Sequence, residues 1–167
     1  EEEQFTYTYT VKNQDTKTLP YGFALHPFFE KLGQDVKISA AAEGVMEAGE
    51  DKLPTGRILP VAGTEYDLRQ PVRADQTDLD HVYTEISGQP CAAADYEDFR
   101  LELEADPVFT HLVVFTPKQE FFCLENQTCS TDAANLTQKG FEKEAHLQTV
   151  EPGKEQSGTV VFRFVRR

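Results

Sequence analysis

Hydrophobic and polar residues alternate along much of this chain with a period of two. Phe5, Tyr7, Tyr9 and Val11 are separated by Thr6, Thr8 and Thr10, so an extended backbone places the aromatics on one face and the threonines on the other. Phe99, Leu101 and Leu103 alternate in the same way with Arg100, Glu102 and Glu104, and Val161, Arg163 and Val165 interleave with Val160, Phe162 and Phe164. Leu112 to Phe115 and Phe121 to Leu124 are short apolar runs typical of strands covered on both faces. Thr116-Pro117-Lys118-Gln119-Glu120 between them predicts a hairpin turn. Further turns are predicted at Leu53-Pro54-Thr55-Gly56, Gly88-Gln89-Pro90 and Glu151-Pro152-Gly153, where proline fixes φ and glycine frees it. The polar stretch from Gly63 to Asp80 predicts a long excursion of the kind that displays binding residues. No long 3.6-residue pattern competes with these strands. The chain is therefore expected to be all-β, a single domain over residues 1–167 without internal repeats.

Composition and charge narrow the partners. A chain of 167 residues that is 39% hydrophobic and 11% aromatic can build a core and is not disordered. Lys and Arg number 16 against 29 Asp and Glu, a net charge of −13, which argues against nucleic acid and against anionic membrane surfaces. No apolar run approaches the roughly 20 residues of a membrane span, and no signal peptide is visible. The expected location is the cytoplasm, and the expected partner is a neutral small molecule. Cys91, Cys123 and Cys129 lack zinc-like spacing and read as reduced, partly buried thiols. The sequons at Asn126 and Asn135 would matter only in a secreted protein. A chain that starts Glu1-Glu2-Glu3-Gln4 and enters a strand by Phe5 is expected to be a fragment. Its strand edges and an apolar face would then need covering by other strands or by self-association.

Two ionisable residues stand out from their apolar surroundings. Glu125 ends the run Phe121-Phe122-Cys123-Leu124, and a carboxylate loses several kcal/mol of hydration on burial unless it gains partners. His26 lies within Tyr21-Gly22-Phe23-Ala24-Leu25-His26-Pro27-Phe28-Phe29. Together they suggest an acid and a base facing one substrate, although His26 taken alone reads as a packed histidine. Asp80 reads equally well as a turn residue or a ligand-binding carboxylate. His81 stays open between these roles, and His111 and His146 read as structural residues.

Four local patterns occur in a fixed order: Gly22-Phe23-Ala24-Leu25-His26-Pro27-Phe28-Phe29, Leu53 to Val61, Leu79-Asp80-His81-Val82-Tyr83, and Leu124-Glu125-Asn126-Gln127-Thr128. In this order the chain resembles the aldose 1-epimerase (mutarotase) family, from the strand at Phe5 to the ending Thr149-Val150-Glu151-Pro152-Gly153 and its last strand. The resemblance implies a mostly antiparallel β-supersandwich with a sugar site in a cleft on one large sheet. It implies that His26 is the general acid, Glu125 the general base, and Asp80 a ligand for sugar hydroxyls. It also implies that the chain corresponds to the C-terminal half of such a protein, whose other half adds an Arg and a second His to the pocket. The chain departs from the pattern at Leu25, where many members carry Asn, and at Asn126, where many carry Pro or Thr.

The implied function is that of an isomerase interconverting the α and β anomers of a free hexose such as galactose or glucose. That chemistry takes a proton from the C1 hydroxyl and gives one to the ring oxygen, so a carboxylate and an imidazole suffice and no metal or other cofactor is expected. The alternative is a non-catalytic carbohydrate-binding protein of the same fold, which would keep Asp80 and the aromatics without needing the acid–base pair.

Overall fold

The computed structural model describes residues 3–167. Glu1 and Glu2, part of the start on which the fragment expectation rests, lie outside them. The strands in chain order are β1 (Glu3–Lys12), β2 (Leu19–Tyr21), β3 (Ala24–Leu25), β4 (Phe28–Glu30), β5 (Lys37–Ala40), β6 (Ala42–Ala48), β7 (Pro54–Pro60) and β8 (Val72–Arg73). They continue as β9 (Asp80–Ile86), β10 (Ala92–Asp95), β11 (Phe99–Ala105), β12 (His111–Phe115), β13 (Phe121–Gln127), β14 (Gln148–Val150) and β15 (Glu155–Arg166).

These strands form two large antiparallel sheets. The first has the order β1-β15-β11-β10-β5-β8 and the second β3-β13-β12-β9-β6-β7, with β4 also on β13; β14 and β2 make a small third pair. Alternation along each strand decides what faces the interior. Tyr9, Ile38, Leu101, Leu103, Val160 and Phe162 of the first sheet meet Tyr83, Leu112, Val114, Phe122 and Leu124 of the second in one shared core. The threonines of β1 point outward as expected, with Thr8 bonded to Thr159 and Thr10 to Ser157 across the pair. The hairpin joining β12 to β13 also forms. Among the described residues, no helix is long and apolar enough to cross a membrane.

The outer face of the second sheet carries two helices that the periodicity did not show, α1 (Ala133–Gln138) and α2 (Glu142–Ala145). At six and four residues they are too short to display a 3.6-residue pattern. Ala133, Leu136 and Ala145 pack with Met46, Val82 and Val113 of the sheet into a second, smaller core. Gly56 supports this layer: its φ is +96°, and a Cβ there would lie 2.5 Å from Phe141 Cγ.

Two expectations about loops need correction. The turn expected at Leu53–Gly56 falls earlier, where the Gly49 amide bonds the Leu53 carbonyl and the Lys52 amide bonds the Gly49 carbonyl. Pro54 and Pro60 then lie within β7, which tolerates them because it is an edge strand and each missing N–H can face away from the sheet. The excursion from Gly63 to Asp80 is tied down: Leu68 and Ala74 are buried in the core, and β8 pairs with β5. Arg73 bridges Asp35 and Asp75 at 2.7 Å each. Only its last residue, Asp80, joins the second sheet.

Candidate functional site

Strand β13 has two faces of different chemistry. Phe122, Leu124 and Asn126 point into the sandwich, so Cys123, Glu125 and Gln127 point outward. Strands β3 and β4 both pair with β13, with Leu25 opposite Asn126 and Phe28 opposite Cys123. The register running between those pairs sets His26 opposite Glu125 and Pro27 opposite Leu124. Proline has no N–H to give the ladder, so regular pairing lapses there and His26 sits at the break.

The two ionisable groups singled out in the sequence are in contact. His26 Nε2 lies 3.4 Å from Glu125 Oε2, while Gln127 Nε2 donates to Glu125 Oε1 at 3.0 Å. Glu125 is only 6% exposed, yet the His26 side chain beside it is 45% exposed. A buried carboxylate thus meets solvent across a half-open imidazole. The other imidazole nitrogen, Nδ1, lies 3.3 Å from Cys123 Sγ. Cys123 is fully buried, and burial first, then the Glu125 charge, pushes its thiol up to about 12. It is protonated throughout the neutral range.

These three residues offer metal-ligand atoms within 4.8 Å of one another. Nδ1 faces the thiol and Nε2 the carboxylate. The group offers three ligands, and the Cys123 thiol, which a metal would take as thiolate, is held protonated by burial.

Across the sheet, Phe115 pairs with both Cys123 and Asp80. Phe28, Cys123, Phe115 and Asp80 therefore form one row on the outer face, and Glu125, Val113 and Val82 the next. Asp80 is exposed and stands two strands from β13, about 10 Å away at the usual strand spacing. Phe28 is the most exposed large apolar residue of this face, at 60%. Its ring lies 4.7 Å from that of His26 and meets Phe121 edge-on at 5.1 Å. The face thus presents an acid–base pair, an aromatic wall and a separate carboxylate over an apolar floor.

The other histidines lie elsewhere. His81 is opposite Val114, so it points to the inner side, packed on Tyr66 at 4.7 Å, where burial lowers its pKa. His111 is fully buried on β12, bonded through Nδ1 to Thr110 Oγ1 at 2.8 Å and packed edge-on against His146 at 5.6 Å. Burial pushes its pKa down to about 4.

Both departures from the sequence pattern are on the far side of the sheet. Leu25 and Asn126 pair with each other, Leu25 packs on the core, and Asn126 donates to Cys91 Sγ at 3.2 Å while 3% exposed. Both side chains face the interior beneath the site and not its outer surface. The burial of Asn126 also removes it as a glycosylation acceptor. The contact of Cys123 with His26 is what sequence reasoning missed, having read this residue as an ordinary thiol. Its position two residues before Glu125 on a strand was the available signal.

Comparison with known proteins gives one consistent result. The sequence model of the aldose 1-epimerase family matches residues 1–163. Rat galactose mutarotase is 26% identical over 90% of this chain and 52% of its own length. An uncharacterized protein of Escherichia coli K12 is 25% identical over 95% of this chain and 55% of its own. Among solved structures, a putative aldose 1-epimerase from Escherichia coli K12 superimposes with a TM-score of 0.80 at 23% identity, over 98% of this chain and 57% of that one. A galactose mutarotase-like protein from Clostridium acetobutylicum gives 0.83 at 17% identity, over 97% and 52%. The chain spans about half the length of these relatives.

Proposed function

Because the chain belongs to the aldose 1-epimerase family, we propose that it carries the acid–base machinery of a mutarotase acting on a free hexose. Glu125 removes the proton of the C1 hydroxyl, and His26 delivers a proton to the ring oxygen as the C1–O5 bond opens. The open-chain aldehyde rotates about C1–C2, and closure with the two roles reversed forms the other anomer. Asp80 holds hydroxyls at the far end of the ring. The observation that carries this reading is the 3.4 Å approach of His26 Nε2 to Glu125 Oε2. The two reacting oxygens of a hemiacetal share one carbon, so an acid and a base that serve both must converge within a few ångströms.

The half-length match bears on completeness. Phe5, Tyr7 and Phe164 lie on the core-facing side of the first sheet near its β1 edge and are 57%, 38% and 37% exposed. We propose that further strands of a longer protein cover this open end and bring the additional Arg and His to the pocket, or else that a second copy covers it.

Polarimetry of freshly dissolved α-galactose and α-glucose tests the function. A rate above the spontaneous one, lost in Glu125→Gln and in His26→Asn, is the expected result. Sugar binding without any acceleration in the full-length protein would favour a carbohydrate-binding role and remove the enzymatic one.

A further inference from the structure

The contact between Cys123 and His26 has a chemical use that is separate from packing. An imidazole that is nearly half exposed can turn over about its Cβ–Cγ bond with little steric resistance. That turn exchanges Nε2 for a carbon at the position facing Glu125, and the ring could then neither donate to nor accept from a substrate there. Something must distinguish the two orientations, and the shape of the ring alone does not.

The geometry points to Cys123 as the positioning residue that holds His26 with Nε2 toward the substrate in both of its protonation states. This rests on the acid–base reading of His26 and Glu125. The argument begins with strand geometry. Cys123 and Glu125 project from the same face of β13, about 7 Å apart along the strand. One imidazole spans that gap with Nδ1 at 3.3 Å from Sγ and Nε2 at 3.4 Å from Oε2.

The residue type matters as much as the spacing. A proton-transfer histidine alternates between imidazolium, which has only donors, and neutral imidazole, which has one donor and one acceptor. The proton that moves is the one on Nε2, so Nδ1 keeps its N–H in both states and its partner has to accept. A lysine, which only donates, could not. The sulfur of a thiol accepts weakly, and because burial keeps that thiol neutral, the contact survives each transfer unchanged. Weakness is useful here, since a strong acceptor such as a carboxylate would favour imidazolium and slow the release of its proton.

The kinetic test compares Cys123→Ala with Cys123→Ser, because a hydroxyl keeps an acceptor for Nδ1–H at that position. Loss of a hydrogen bond of about 1 kcal/mol predicts that Cys123→Ala lowers kcat about fivefold or more, with KM within about twofold. Cys123→Ser should return kcat to within about threefold of the wild type. A second readout needs no activity: the S–H stretch of Cys123, assigned in the infrared from the difference between wild type and Cys123→Ser. It should shift in His26→Phe and shift again when His26 is protonated. A band unmoved by His26→Phe, or equal kcat values in Cys123→Ala and the wild type, overturns the proposal. If the wild type accelerates no mutarotation, the enzymatic reading fails by itself, while the thiol band still decides whether Cys123 holds the ring.

Discussion

Replacing Gly56 by alanine should loosen the helical layer that covers part of the site's sheet, and the structure allows the effect to be sized. Gly56 combines a φ of +96° with a site where a Cβ would approach the Phe141 ring to 2.5–2.7 Å. A non-glycine residue held in that backbone region costs about 1–3 kcal/mol. Forcing a methyl group into a packed ring costs a further 1–3 kcal/mol or so. The sum, about 2–6 kcal/mol, corresponds to a fall in Tm of about 4–24 °C for a domain of this size. Gly33 supplies the control: its φ is +69°, but nothing lies within 4 Å of where its Cβ would be. Gly33→Ala should therefore carry only the backbone part, about 1–2 kcal/mol. Urea denaturation followed by circular dichroism measures both, with a shifted midpoint at unchanged slope marking a pure stability change. Pairing Gly56→Ala with Phe141→Leu should recover part of the loss, since the two residues share one contact. Gly56→Ala costing no more than Gly33→Ala would refute the packing argument and leave only the backbone term.

Other expectations follow from particular groups. Phe28→Ala should raise KM several-fold with little change in kcat, measured by polarimetry, because the ring walls the site beside His26 and takes no part in proton transfer. His111 is held neutral, with its folded pKa near 4 below the unfolded value of about 6.5, so the unfolded chain binds the extra proton between those limits. Stability should therefore be intact above about pH 6.5 and fall by about 3 kcal/mol toward pH 4; urea titrations at stepped pH should show this slope flattened in His111→Gln. If Phe5 and Tyr7 are covered by a second copy, sedimentation should reveal concentration-dependent association that a Phe5→Lys, Tyr7→Lys variant abolishes; identical monomeric behaviour of both proteins would exclude that copy.

The strands were legible because alternation reports directly which side of a sheet a residue faces. The run from Phe5 to Val11 reads as a strand in the sequence and is one, with Tyr9 inside and the threonines bonded on the outside. Glu125 was legible for a related reason, since a carboxylate within an apolar run must have partners. Three features resisted. Helices α1 and α2 are shorter than the period that would reveal them. The turn before β7 was misplaced because Pro54 marks a turn in most contexts and an edge strand in this one. The departures at Leu25 and Asn126 flank His26 and Glu125 in the sequence, which says nothing of the face each one occupies. Strand parity, which puts every second residue on the far side, sends both into the core. Cys123 was overlooked for the opposite reason, since the same parity places it beside Glu125.

The central claim is that His26 and Glu125 act as one unit in a single proton-transfer event, and a double-mutant cycle of mutarotation rates tests it most directly. Each single variant, Glu125→Gln and His26→Asn, should lower kcat by about 10²–10⁴. If each group is useful only while the other is present, the double variant should be about as slow as the slower single one. Full additivity of the two effects, or a single variant that keeps the wild-type rate, would contradict the account.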